Sequence, residues 1–413
     1  MSSVSVSVDH AGRTLSVGTA YLTTKRGVVS SSFAYGQSYL ADPDGYSVEP
    51  ALPLLAGTAT QRLPGSGLPG CFADAAPDRW GRSLIARRLR ASAIAAGRTP
   101  PAITERDYLL GVSDATRQGA LRFSAEPGGE YLSPSSDVPR VIELPQLMRA
   151  AETVESGDPD DQSAIKTLLA AGTGSLGGAR PKASVRDGDD LSIAKFEHSG
   201  DEWSVIGWEA VALDLAGRCG VTVPEHRLLS IDGRRVLLLR RFDRHGAERV
   251  GYISSMTLLS ARDGESRDYL EIAESLATIG ASVAIDLEQL WRRIAFSLAI
   301  NNVDDHLRNH GLLRAPGGWA LSPAFDLNPD PDPAAQRVTS IGGSTSLDAG
   351  TAALRRIAPS FGVSPQRATA ILSEVAIGVG AWRSVASRHG LPEREITRFE
   401  PVFAAGLAAL STA

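Results

Sequence analysis

The chain has 413 residues, 43% of them apolar, enough to bury two substantial cores, so two or three domains are expected. A formal net charge of −5 gives no global basic field, which argues against direct binding of a polyanion. Two cysteines, Cys71 and Cys219, stand without CxxC spacing; this excludes a disulfide framework and a cysteine-based zinc site and fits a reducing cytosol. The opening MSSVSVSVDH lacks the basic and apolar regions of a secretory signal, and no run of about 18 uncharged apolar residues is present. A cytoplasmic protein without membrane contact is expected.

Val4, Val6 and Val8 alternate with the period of a half-buried strand, and 15–22 and 28–35 read as further strands between Gly and Asp turn signals. A turn-rich stretch, 41–72, leads into Pro77-Asp78-Arg79-Trp80-Gly81-Arg82 and a predicted helix over 83–96. Residues 1–125 are therefore read as a mixed α/β front domain. Residues 126–162, rich in Pro, Ser, Gly and acid, read as a connector with a helix over 143–154. Residues 163–243 follow as a small lobe: glycine-rich turn, two strands, a helix over 208–219 and a strand over 235–241. From 244 to 413 a helical lobe is expected, helical from Tyr269 on. Leu287, Leu290, Trp291, Ile294 and Leu298 form one apolar helix face, with Arg292 and Arg293 on other faces. Three helices are expected over 352–413, and no repeat of 20–50 residues is present. A strand-rich front and a helical back make the fold class α+β.

Four elements carry the chemistry. Gly172-Thr173-Gly174-Ser175-Leu176-Gly177 matches GxGxxG, in which backbone N–H groups can approach phosphate oxygens because no Cβ intervenes. Alone it is a weak signal, since a chain with 41 glycines offers many turns. It lacks the Walker GK[ST] ending, and Pro181 precedes strands where a dinucleotide-binding loop would open a helix. Second, Leu191-Ser192-Ile193-Ala194-Lys195 is an apolar strand carrying one of only four lysines in the chain. A glycine-rich hairpin followed by a strand lysine is the protein-kinase way of holding ATP phosphates, although a strand lysine is also an ordinary solvent-facing residue. Glu209 on the next helix could orient Lys195 or complement a helix dipole.

Third, Asn301-Asn302-Val303-Asp304-Asp305-His306-Leu307-Arg308-Asn309 follows an apolar helix, and Asp304 and Asn309 have the DxxxxN spacing of a phosphotransferase catalytic loop. There the aspartate orients the attacking hydroxyl or accepts its proton, and the asparagine oxygen ligates magnesium. Fourth, Asp326 ends the segment Leu321-Ser322-Pro323-Ala324-Phe325, where such a fold puts its second metal carboxylate; alone it could be a turn residue before Pro329. A competing reading gathers His306, His310, Asp304, Asp305 and Asp326 into a metal-hydrolase site, but it lacks HExxH and leaves the glycine loop and Lys195 unexplained. His198, His226, His245 and His389 read as surface or capping residues.

With these motifs in view, the chain resembles the HipA family of toxin-type serine/threonine kinases over almost its whole length. The resemblance rests on FAYGQSYLADPDGYSVEPALPL, CFADAAPDRWGRSLI and DYLLGVSDATRQGALRF in the front part. In the back part it rests on SLGGARPK, AKF, LLLRRFDR, LWRRIAFSLAINNVDDHLRNHGLL and GWALSPAFDLNP. It implies a two-lobed, atypical protein-kinase-like fold with an added N-terminal α/β subdomain and a helical C-terminal lobe. It further implies that Gly177, Gly178, Ala179, Arg180, Pro181 and Lys182 form an ATP-phosphate loop and that Lys195 holds the phosphates. Backbone groups of Arg240, Arg241 and Phe242 would meet adenine, with Asp243 close to the ribose. Asp304 would be the catalytic aspartate. His306, Leu307, Arg308, Asn309 and Phe325 would line the nucleotide, with Asn309 and Asp326 binding Mg²⁺. Ser175 falls where the family carries an autophosphorylated serine, whose modification would eject the loop.

Arg180 and Pro181 stand where the family often has glutamine and glutamate, and Arg240 stands at the hinge glutamate position. No APE-like segment follows Asp326. The resemblance also implies a protein substrate such as an aminoacyl-tRNA synthetase and a small helix-turn-helix, HipB-like antitoxin, with DNA met only through that partner. A small-molecule kinase and a non-catalytic nucleotide-binding module are the alternatives.

Overall fold

In the computed structural model, which describes residues 2–25, 28–61, 67–132, 138–156, 161–172, 180–198 and 200–411, the alternating valines lie in β1 (Ser2–His10). It pairs antiparallel with β2 (Arg13–Lys25), which pairs with β3 (Val28–Tyr35) and, beyond it, β4 (Thr58–Gln61). On its other side β1 takes β5 (Leu121–Ser124), giving a five-stranded sheet in the order β4-β3-β2-β1-β5. Val4, Val6 and Val8 are fully buried, as the period predicts. Ser5 and Ser7 are buried too, because β1 is an interior strand covered on both faces. Phe33, Phe72 and Phe123 meet edge-to-face on this sheet, with ring centroids 5.5 and 5.2 Å apart.

The predicted helix over 83–96 is α1 (Arg79–Ala95), and it begins earlier because Asp78 caps it, accepting the Gly81 N–H at 2.7 Å. A capping box of Thr104 and Asp107 starts α2 (Glu105–Gly111). The expected connector is a packed element: α3 (Leu144–Glu155) buries Leu144, Leu147, Met148 and Val154, and it packs on α4 (Gln162–Ala170). Next come the antiparallel strands β6 (Lys182–Asp187) and β7 (Asp190–Phe196). These elements belong to one compact unit, 1–198 with 231–234 and 238–253. A second holds 199–230, 235–237 and 254–413. The chain passes between them after 198, after 253 and three times within 226–240, which carries β8 (His226–Ile231) and β9 (Arg234–Arg240).

In the second unit α5 (Val205–Arg218) starts at a Ser204 cap, three residues before the predicted start, and its Trp208 stacks on Phe399 with centroids 4.0 Å apart. Then follow α6 (Tyr269–Ile279), α7 (Val283–Ala299) and the hairpin β10 (Gly311–Ala315) and β11 (Gly318–Leu321). The unit is thus not helical throughout; the hairpin separates the catalytic-loop segment from Asp326. Four helices close the chain: α8 (Leu347–Ile357), α9 (Pro365–Val379), α10 (Trp382–Arg388) and α11 (Glu393–Ser411). Three were expected over 352–413; the fourth is the end of α8, which starts before that range.

The apolar stripe predicted on α7 is correct, and Arg292 and Arg293, expected on other faces, are buried as well. Every residue from Leu290 to Ala299 is buried, because α6, α8, α9, α11 and β11 surround the helix. Arg292 reaches the Cys219 carbonyl at 2.8 Å and Glu374 at 2.6 Å, and Arg293 donates to the Ser322 carbonyl. Long alkyl stems let both guanidiniums find acceptors at the edge of the core. At the α7–α11 crossing a Cβ on Gly406 would come within 2.2 Å of the Ala299 carbonyl oxygen. Gly406→Ala is therefore expected to lower stability by ~1–3 kcal/mol through overpacking, read as a lower midpoint in thermal unfolding.

Candidate functional site

The catalytic-loop segment begins where α7 stops. Ile300 ends the helix and Asn301 turns the chain into the left-handed region at φ 53°, a conformation asparagine tolerates better than most residues. The Asn301 amide donates to the carbonyls of Asp330 and Asp332, each at 2.9 Å, and Asn302 Oδ1 accepts the Asn328 N–H at 3.3 Å. These bonds tie the loop after α7 to the loop after β11. From beyond the second loop, Arg337 donates to the Asn302 carbonyl at 2.9 Å, and the Val338 N–H to the Val303 carbonyl at 3.0 Å. Part of this polar run therefore builds the loop itself.

Successive residues then take opposite environments. Asp304 is exposed, whereas Asp305 is buried and receives the Tyr269 hydroxyl at 2.5 Å and the Ser297 hydroxyl at 3.1 Å. His310 Nε2 lies 3.1 Å from the same carboxylate. Burial alone would raise the Asp305 carboxyl, but the His310 charge and the bonds from His310, Tyr269 and Ser297 bring it down to about 2. At Asp304 partial desolvation dominates and raises the carboxyl; His306 opposes this, while Asp326, Asp305 and Asp330 add to it.

Asn309 Nδ2 donates to the Asp304 carbonyl at 3.2 Å, turning its Oδ1 the other way. Asp326 lies after the hairpin at φ 58°, its Oδ1 accepting from Asn328 Nδ2 at 3.2 Å. Asp304 and Asn309 thus stand on one of the two stitched loops and Asp326 on the other. The donor set is hard oxygen, one carboxylate and one amide, which suits a magnesium ion that completes its shell with phosphate oxygens and water. Among the described residues no group of three or more His, Cys, Asp or Glu side chains could hold a metal by itself. The metal-hydrolase grouping is not assembled, since Asp305 and His310 are buried against each other.

His306 is partly exposed, and its Nδ1 has no partner among the described residues. Leu307 is buried, Arg308 holds Asp263 at 3.1 Å, and Phe325 is half-buried. Glu209 is buried one turn into α5. His226 and His389, read as surface or capping residues, share Asp214 at 3.0 and 2.9 Å.

In the first unit Gly172 is left-handed at φ 64° and stands against Thr116, where a Cβ would clash at 1.9 Å. Ser175, Gly177, Gly178 and Ala179 lie outside the described residues. Arg180 is half-buried and Pro181 is buried. Lys182 and Lys195 are directly opposite on β6 and β7, so their side chains leave the same face of the hairpin. Lys182 is 4% exposed and its ammonium is 3.2 Å from Asp78 Oδ2, the residue that caps α1. That role for the PDRWGR motif was not visible in the sequence.

Arg240 pairs with Asp190 at 2.9 Å, and the Arg241 N–H donates to the Leu191 carbonyl. Asp243, expected near a ribose, turns inward. Its carboxylate receives Arg241 at 2.6 and 2.8 Å, Arg244 at 3.0 Å and the Gly119 N–H at 2.7 Å. Arg241 continues to the carbonyls of Thr116 and Arg117. The DATRQG segment of the front part therefore anchors 241–244, and Phe242 itself is half-buried.

Among known proteins, the family model described as the HipA-like C-terminal domain matches residues 174–382, and the HipA N-terminal domain model matches 14–98. Comparison with the curated proteins finds no match. A solved complex of HipA, HipB and operator DNA from the Shewanella oneidensis MR-1 toxin–antitoxin system contains a chain of similar fold, with a TM-score of 0.66 at 17% identity. That likeness covers 98% of this chain and 97% of the other. The Helicobacter pylori proinflammatory kinase CtkA aligns with 56% of this chain and 93% of its own, at 15% identity and a TM-score of 0.37. The choline kinase LicA of Streptococcus pneumoniae aligns with 57% and 92%, at 15% identity and 0.20. The HipA fold thus extends over the whole chain, with the expected α+β class, and the C-terminal model alone covers more than half of it: the protein belongs to the HipA family.

Proposed function

We propose that the protein is an ATP- and Mg²⁺-dependent serine/threonine protein kinase of a toxin–antitoxin system. The observation that carries this reading is the Asn309 amide held on the Asp304 carbonyl, with Asp326 on the adjoining stitched loop. With one amide oxygen and one carboxylate on these loops to hold a metal, the exposed Asp304 carboxylate would be left for the acceptor hydroxyl. Asp304 accepts the hydroxyl proton as the acceptor oxygen attacks the γ-phosphorus and the bond to the ADP oxygen breaks. Magnesium, when bound, would neutralise charge developing on the phosphate oxygens. Lys195 and the loop 177–182 would hold the phosphates, and the backbone of 240–242 would hold the base. The raised carboxyl of Asp304 marks it as the more basic of the two adjacent aspartates.

The substrate is proposed to be a translation component such as an aminoacyl-tRNA synthetase. The partner is proposed to be a small helix-turn-helix antitoxin, in keeping with the HipB and operator DNA in the Shewanella complex. No helix among the described residues is long and apolar enough to cross a membrane, and we propose action in the cytoplasm. Incubation with γ-labelled ATP and cell lysate tests the reading. Label on a protein band supports it, label confined to small solutes supports a small-molecule kinase, and no transfer leaves only nucleotide binding. Self-inactivation is assigned to Ser175: Ser175→Ala should abolish label on the loop peptide and lengthen the active phase, followed by mass spectrometry of the peptide against time. Persistent label on that peptide removes Ser175 from the scheme.

A further inference from the structure

We infer that Asp305 and His310 are positioning residues, a buried pair that clamps both ends of the segment 306–309 and so holds Asp304 and Asn309 in register for a metal–nucleotide complex. The inference rests on the kinase reading above.

Asp304 precedes one end of the clamp, and Asn309 immediately precedes the other. Asp305 and His310 are 4% and 3% exposed, 3.1 Å apart, and bridge a turn that contains only four residues. The clamp is itself fixed from three other elements. Tyr269 in the first turn of α6 and Ser297 in the last turn of α7 donate to the Asp305 carboxylate. Thr339 donates to the Asp305 carbonyl at 2.6 Å. Two side-chain hydroxyls, an imidazole and a backbone bond on one residue far exceed what a surface loop needs to stay closed. Burying a carboxylate costs free energy, so a position that keeps one with three side-chain partners is better explained by the geometry it imposes than by stability.

The chemistry requires such rigidity. Magnesium demands near-ideal geometry at about 2.0–2.1 Å, so a shift of Asn309 well below an ångström would remove its oxygen from the shell. Groups that hold a metal ligand in place, without touching the metal, are worth ~10–100-fold in affinity or activity when removed. The clamp bears on Asn309, which adjoins His310 in the chain and is bonded back to Asp304. Phosphate and base contacts assigned to other segments do not depend on it.

Full-length protein titrated with a fluorescent ATP analogue, once in EDTA and once with Mg²⁺, separates these roles. In Asp305→Asn the affinity gained on adding Mg²⁺ should fall ~10-fold or more while the metal-free affinity stays that of the wild type. Tyr269→Phe, which removes one donor and keeps the ring, should show the same pattern at a few-fold. If Asp305→Asn does not fold, Tyr269→Phe decides the matter alone. Folded variants with wild-type Mg²⁺ dependence, or with equal losses in EDTA and in Mg²⁺, overturn the positioning role and leave the kinase reading standing. A wild-type protein whose nucleotide affinity ignores Mg²⁺ overturns both.

Discussion

Asp304→Asn should reduce phosphate transfer by ~10²–10⁴-fold, the range that one positioned general base contributes, with nucleotide affinity changed little. The substitution keeps the size of the side chain and preserves the backbone carbonyl that receives Asn309, but the amide cannot take a proton from the acceptor hydroxyl. Because Asp304 is exposed, the variant should fold as the wild type does. Initial rates of label transfer to the lysate substrate, measured beside an unfolding curve, check this. A variant within tenfold of the wild type would mean that another group handles the proton.

Asp243→Asn should cost ~3–5 kcal/mol of stability, the range for removing one partner from a buried ion pair, since Arg241 and Arg244 would remain buried without their carboxylate. Burial alone would raise the Asp243 carboxyl; the Arg241 and Arg244 guanidiniums and the Gly119 N–H outweigh it and hold the carboxyl well below its ordinary value. A carboxyl depressed in the folded state contributes its stability fully above the unfolded value of about 3.9 and loses it as the pH falls through the folded one. The gap between wild type and variant should therefore be widest near neutrality and shrink below about pH 4. Urea unfolding at pH 7 and pH 3 measures both gaps; a gap that does not change with pH would remove Asp243 as the anchor of 241–244.

Local patterns in the sequence carried a good part of this. Valine alternation gave β1, the apolar stripe gave α7, and the DxxxxN spacing with Asp326 beyond it pointed to the two loops that prove to be stitched together. What a local pattern cannot carry is the choice of distant partner. Nothing near Lys182 signals that its ammonium meets Asp78, and nothing near Asp243 signals Gly119 or that Arg241 reaches Thr116. Arg292 and Arg293 stand off the apolar stripe of α7, yet a helix surrounded by its neighbours buries them and offers carbonyls, which the stripe does not signal. Asp304 and Asp305 look equivalent in the sequence; the hydroxyls of Tyr269 and Ser297, from two helices, decide which faces inward. The asparagines 301 and 302 are joinery between two loops, a role that only the second loop reveals.

A crystal of the full chain grown with Mg²⁺ and a non-hydrolysable ATP analogue tests the central claim most directly. A metal about 2.1 Å from both Asn309 Oδ1 and an Asp326 carboxylate oxygen, bridging to the terminal phosphates, is the expected result. A nucleotide bound elsewhere, or a metal that touches neither side chain, would contradict the account.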